Sequence, residues 1–218
     1  MKKKNNPLLG IFFGLMCLLA ATALALALLH ISDLLYRISV DVLDIPESTG
    51  YSREVIMRNY HDVMRYLSPF NNTDFQLTDL RFSEDGALHF EDVKNIFSGI
   101  YIAGLVSAAG IAVTLLLKRK KDKAFLRVSA ITTVVLPVLI ACAVAVDFDT
   151  MFVLFHKIFF AHDETDSWIF DRRIDPVIDI LPQDFFMYCA LFIVFMWLAA
   201  AAVQYIFHRR GARKAKKS

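Results

Sequence analysis

Four apolar runs, at residues 8–31, 96–117, 125–146 and 185–207, dominate the chain. Each reaches the roughly 20 residues that a helix needs to cross about 30 Å of hydrocarbon. Three of them contain no aspartate, glutamate or lysine, and the fourth carries only Arg127, close enough to its end to snorkel toward the headgroups. With 56% hydrophobic residues and a mean hydropathy of +0.47, the 218-residue chain is too apolar for an ordinary soluble domain. The first run follows a basic "MKKK", and its "ALALA" offers small residues of the kind found at a signal-peptide cleavage site. It exceeds the roughly 7 to 15 apolar residues of such a segment, so it reads as a retained span.

Charge orients these spans. Lys2 to Lys4, the "KRKKDK" connection, Arg127 and the tail after His208 hold 15 of the 24 basic residues and one acid, Asp122, a net +14. The long connections, about 31–95 and 147–184, hold 9 basic and 21 acidic residues, a net −12. The positive-inside rule places both termini and the short connection in the cytoplasm and both long loops outside. The expected fold is mainly α: a four-transmembrane-helix bundle with a small extracytoplasmic cap formed by the two long loops. The chain divides into 1–31 (N-terminal segment and first span), 32–94 (first cap loop), 95–146 (second and third spans with their basic connection), 147–184 (second cap loop) and 185–218 (fourth span and basic tail).

About 100 loop residues are thin for an independent core, so the cap must lean on the membrane helices. In the first loop, "YSREVIMRNYHDVMRYL" sets Val55, Ile56, Tyr60, Val63, Met64 and Leu67 on one helical stripe, with Arg53, Arg58 and Asp62 expected toward water. "FQLTDLRF" alternates weakly and suggests a short strand. Ser83 is a plausible N-cap, and Glu84 and Asp85 occupy a first turn where the helix dipole favours anions. A helix from there to Leu117 would be about 50 Å long, so its first turns should stand above the membrane. It carries His89, with Asp92 on the same face at i+3. In the second loop a short helix from Asp149 would align Phe152, His156 and Phe159 or Phe160, before Pro176 and Pro182 break the chain ahead of the last span.

Of six histidines, His208 flanks the cytoplasmic tail, His30 reads as an interfacial cap, and His61 and His162 as solvated side chains. His89 and His156 stand apart, because each falls on an expected helix in an apolar setting at one depth. A metal reading would gather His89, Asp92, His156 and His162, but no HExxH or paired-cysteine spacing supports it. Cys17, Cys142 and Cys189 all lie in spans, where thiols are ordinarily inert. There is no GxSxG elbow, so acyl chemistry here would be a direct transfer. Basic clusters confined to membrane flanks give no support for nucleic-acid binding, and acid-free spans argue against ion-coupled transport.

The segments "GALHFEDVK" (86–94) and "FHKIFF" (155–160), followed by "DSWIFD", "DPVIDILP" and "FF", resemble the bacterial lipoprotein intramolecular transacylases, integral membrane proteins of the DUF1461 type; "NYHDVMRYL" is a further, weaker match. The chain departs from that pattern in a longer "AHDETDS" stretch and in "FDRRIDP", which lacks a proline after Asp171. The resemblance implies two catalytic histidines, His89 and His156, at the junction of cap and spans of a bacterial cell-membrane protein. It implies movement of the sn-2 acyl chain of a diacylglyceryl-modified lipoprotein to the α-amine of its own N-terminal cysteine, giving the lyso form. Ester-to-amide transfer runs downhill, so neither cofactor nor metal is expected. The expected partners are a diacylated lipoprotein and membrane lipid. Asp92 is expected to orient His89, while Phe152, Phe155, Phe159, Phe160, Trp168 and Tyr60 line the pocket. The competing readings are a non-enzymatic tetraspan scaffold and a lipid ester hydrolase at the same site.

Overall fold

The computed structural model describes residues 7–117, 125–160 and 167–215. Regular structure among them is entirely helical, in the order α1 (Pro7–Ile31), α2 (Leu34–Val42), α3 (Ile45–Thr49), α4 (Arg53–Tyr66), α5 (Glu84–Leu117), α6 (Phe125–Val146), α7 (Phe148–Phe159), α8 (Val177–Ile180) and α9 (Gln183–Ala215). Four helices, α1, α5, α6 and α9, are long and apolar enough to cross a membrane. They are the four that the apolar runs call for. The chain forms two compact units, one from Met1–Leu26, Ile100–Ala145 and Leu191–Ser218, the other from Ala27–Gly99 and Val146–Ala190.

In the first unit, small residues let the apolar helices approach closely. A Cβ on Gly10 would lie 2.6 Å from the Val128 Cβ and 2.8 Å from the Phe125 carbonyl, and one on Gly14 would lie 2.9 Å from the Thr132 Cβ. Gly10 and Gly14 thus form a GxxxG seam on α1 against α6, the device by which helices associate in lipid, where apolar burial supplies no drive. Polar side chains tie the unit further. Ser129 donates to Gln204, whose amide donates to Thr133 Oγ1 (3.1 Å), and Trp197 Nε1 donates to Thr22 Oγ1 (2.8 Å).

The second unit has a conventional aromatic core. Tyr36 of α2 stacks on Tyr60 of α4 at 3.7 Å and 10°, Phe185 of α9 meets Tyr36 edge-on at 5.1 Å, and the Tyr36 hydroxyl donates to the Ile180 carbonyl (2.6 Å). Ile56, Tyr60, Val63 and Leu67 bury one face of α4 at helical spacing, as their stripe requires, and Ser52 caps the helix by accepting from the Val55 N–H.

Two expectations for this region fail, for one reason. Asp62 does not face water: it is 4% exposed and accepts from the Thr78 N–H (2.7 Å) and from Arg65 (2.7 Å). The segment 75–82 is not a strand, because no second strand lies beside it among the described residues. Its backbone donors at 78, 79 and 80 go instead to the side chains of Asp62 and Asn59. Buried polar groups on α4 therefore replace the ladder that a strand would need.

Candidate active site

Local sequence signals build the two helices that carry His89 and His156. Ser83 caps α5, its Oγ accepting from the Gly86 N–H (2.9 Å), with Glu84 and Asp85 in the first turn. Asp147 caps α7 by accepting from the Thr150 N–H (3.0 Å), so the helix begins at Phe148, one residue before the expected start. One turn into α5 stands His89, 6% exposed; near the end of α7 stands His156, 9% exposed.

The two imidazoles face each other with centroids 5.9 Å apart and planes 25° from parallel. Aromatic rings enclose them. Phe160 stacks on His156 at 5.4 Å and lies 4.7 Å from His89; Trp168 stacks on His156 at 4.9 Å; Phe152 sits 4.3 Å from His156. Phe170 meets the His89 ring edge-on at 5.3 Å and 85°.

The α7 register sorts the phenylalanines. Phe152, His156 and Phe160 recur every four residues and share a side. Phe155 contacts His156 edge-on at 5.4 Å and packs on Phe159 at 4.5 Å, and both are close to half exposed. Asp92 is half-buried one turn beyond His89. Tyr60 does not join the histidine cluster: its ring belongs to the Tyr36–Phe185 stack and is 3% exposed, because the α4 stripe that carries it faces the core. His61 is exposed, 3.0 Å from Asp33 Oδ2, and His30 is half-buried at the end of α1. His162 lies outside the described residues.

Sequence reasoning missed Phe170, because its nearness to His89 depends on how a turn folds back rather than on any period along the chain. The "FD" that precedes "DP" was its only local signal.

His156 has a defined proton arrangement. Its Nδ1 lies 2.8 Å from the Phe152 carbonyl, which can only accept, so Nδ1 carries the hydrogen and the neutral ring keeps its lone pair on Nε2. Burial lowers its pKa from the ordinary 6.5, and the bond to the Phe152 carbonyl partly opposes that shift. The neutral, basic form therefore persists below pH 6.5. On acidification the unfolded chain takes up this proton first, so His156 withdraws stability as pH falls from 6.5 through its lowered value. Titration of ¹⁵N-histidine-labelled protein by NMR, with His156→Gln to identify the resonance, should give a midpoint below 6.5 and an Nδ1–H neutral tautomer. A midpoint at or above 6.5, or the opposite tautomer, would remove His156 as a ready base.

Two imidazoles at this separation can each place a nitrogen about 3 Å from one shared reacting group. A buried ring whose neutral form keeps its lone pair on Nε2, a second ring facing it and an aromatic lining make an arrangement suited to moving a proton on or off an apolar substrate.

The family model for the lipoprotein intramolecular transacylase Lit matches residues 9–186. The in meso structure of the membrane-integral lipoprotein intramolecular transacylase Lit from Bacillus cereus is similar at a TM-score of 0.88 and 32% identity, with 97% of this chain and 97% of that chain covered. Two further structures of that protein, with one histidine replaced by arginine or by alanine, are similar at TM-scores of 0.82 and 0.80, with identities of 31% and 32%; coverage is 96% and 97% of this chain and 93% and 95% of theirs. No curated protein sequence matches the chain. A model matched over most of the sequence, together with near-complete coverage at this identity, makes the chain a member of the lipoprotein intramolecular transacylase family, membrane-integral acyltransferases.

Proposed function

We propose that this chain moves the sn-2 acyl group of a diacylglyceryl-modified lipoprotein to the α-amine of that lipoprotein's N-terminal cysteine, with His156 and His89 handling the protons. The observation that carries the proposal is the facing imidazole pair, 5.9 Å apart inside aromatic walls. Substitution of a histidine in two of the Bacillus cereus structures supports a histidine-based site.

The steps balance without a cofactor. The amine nitrogen attacks the ester carbonyl, and His156 Nε2 takes a proton from it. As the tetrahedral centre collapses, the carbonyl carbon–oxygen bond to glycerol breaks and His89 donates a proton to the departing oxygen. An amide and a glyceryl hydroxyl result, and a proton passing back between the rings resets the pair. The two histidines could exchange these roles, Asp92 would orient His89, and Phe152, Phe155, Phe159, Phe160 and Trp168 would line the pocket.

Most of the acceleration would come from folding one substrate molecule onto itself. A well-placed intramolecular reaction gains roughly 7 to 11 kcal/mol in effective molarity. Stacked rings around the histidines confine the acyl chain and keep out water, which would otherwise take the amine's place.

In the cell, both termini and the basic connection 118–124 would face the cytoplasm. The cap, from 32–94 and 147–184, would stand outside, where exported lipoproteins carry their lipid. The negative charge of these loops and the compactness of the second unit support this assignment.

The decisive experiment incubates the purified protein with a diacylated lipopeptide and follows products by mass spectrometry. Conversion to an N-acylated lyso form of unchanged total mass is expected. Release of free fatty acid would make the protein a hydrolase, and an unaltered lipopeptide would favour the scaffold reading.

A further inference from the structure

The turn that leads into α8 holds the first turn of the His89 helix through one buried carboxylate. Asp175 is 4% exposed. Its Oδ1 accepts from the Ser83 N–H (2.6 Å) and its Oδ2 from the Ser83 hydroxyl (2.8 Å). Ser83 in turn caps α5 through the Gly86 N–H (2.9 Å), and the Ala87 N–H reaches the Ser83 carbonyl (3.0 Å). The carboxylate is itself fixed: the Asp175 N–H donates to the Asp171 carbonyl (2.8 Å), and the Asp175 carbonyl accepts from Ile178 (3.2 Å) in α8, whose Val177 and Ile180 are buried in the core.

The contact is tight as well as polar. A Cβ on Gly86 would lie 2.6 Å from Asp175 Oδ1 and 3.2 Å from Phe170 Cε1, so glycine is what allows the turn to close on the helix. Gly86 and His89 are three residues apart and share a helix face. The segment 170–175 thus clamps α5 at its start and lays Phe170 on the His89 ring one turn later.

We infer that Asp175 is a positioning residue for the reaction: by holding Ser83 and the first turn of α5, it sets where His89 and its covering ring Phe170 stand relative to His156. The inference rests on the proposed use of His89. A carboxylate suits the task because it offers two acceptors to two donors. An asparagine would turn one of those acceptors into a donor that meets either the Ser83 N–H or the Ser83 hydroxyl.

The test is steady-state kinetics of Asp175→Asn on the lipopeptide in detergent micelles, beside thermal unfolding of the same sample. Because small misplacements of reacting groups can cost up to about a hundredfold, kcat should fall by about tenfold or more. KM should stay within about twofold and the folded fraction unchanged. Ser83→Ala, which leaves the backbone bond to Asp175, should lose a smaller factor in kcat, and the double variant should be no slower than Asp175→Asn alone.

The inference is overturned if kcat stays within about twofold of the parent, if the loss appears in KM, or if the two single losses multiply. Should Asp175→Asn fail to fold, Ser83→Ala alone decides: reduced kcat at unchanged KM supports the clamp, and parental kcat removes it. Failure of the underlying reading would look different, since the parent would then form no lyso product or His89→Gln would turn over normally.

Discussion

His156→Gln should slow acyl transfer by about 10²- to 10⁴-fold, the usual contribution of a positioned base, with KM changed only a few-fold. Glutamine is the informative replacement. Its amide can still donate toward the Phe152 carbonyl and fills much of the space among Phe152, Phe160 and Trp168, but it has no basic nitrogen. Loss of rate with retention of thermal stability would separate proton transfer from packing. A variant that keeps more than a tenth of the parental rate would show that His156 is not the base. The same substitution at His89 should give a loss of similar order, because the departing oxygen would leave without its proton.

The largest effect on stability is expected at Asn59, which is wholly buried in α4. Its Oδ1 accepts from the Asp79 N–H (3.1 Å) and the Leu80 N–H (3.2 Å), while its Nδ2 donates to the Val55 carbonyl (2.8 Å) and to Asp79 Oδ2 (2.9 Å). Asn59→Leu would strand two backbone donors of a segment with no strand to pair with. Each buried donor left without an acceptor costs about 1 to 3 kcal/mol, so a destabilisation of about 3 kcal/mol or more is expected. Chemical denaturation in detergent measures the total, and hydrogen exchange should quicken most at residues 79 and 80. A change below about 1 kcal/mol, with those amides still protected, would contradict the role given to Asn59.

The four long helices were legible because hydrocarbon imposes one length and one composition, and both can be counted along the chain. The start of α5 was legible from Ser83, since caps act over three residues; α7, expected from Asp149, starts one residue earlier because Asp147 caps it through the Thr150 N–H. What escaped was set by partners distant in sequence. Asp62 looked solvent-facing because a carboxylate on a helix usually is; its burial depends on the Thr78 N–H, 16 residues away. Tyr60 is amphipathic and could have suited a lipid pocket, but Tyr36 claims its face. Phe170 reaches His89 through a turn whose closure on Gly86 depends on a contact 89 residues apart in the chain. Periodicity identified which helix face is buried, and it could not identify what that face is buried against.

The bond between His156 Nδ1 and the Phe152 carbonyl has an evolutionary consequence. Where an imidazole is steered by another side chain, a single codon change can remove the guide. Here the guide is the peptide unit four residues earlier in the same helix, and every amino acid supplies one. So long as α7 stays helical, a change of side chain at position 152 leaves this guide in place, and the histidine keeps presenting the same nitrogen.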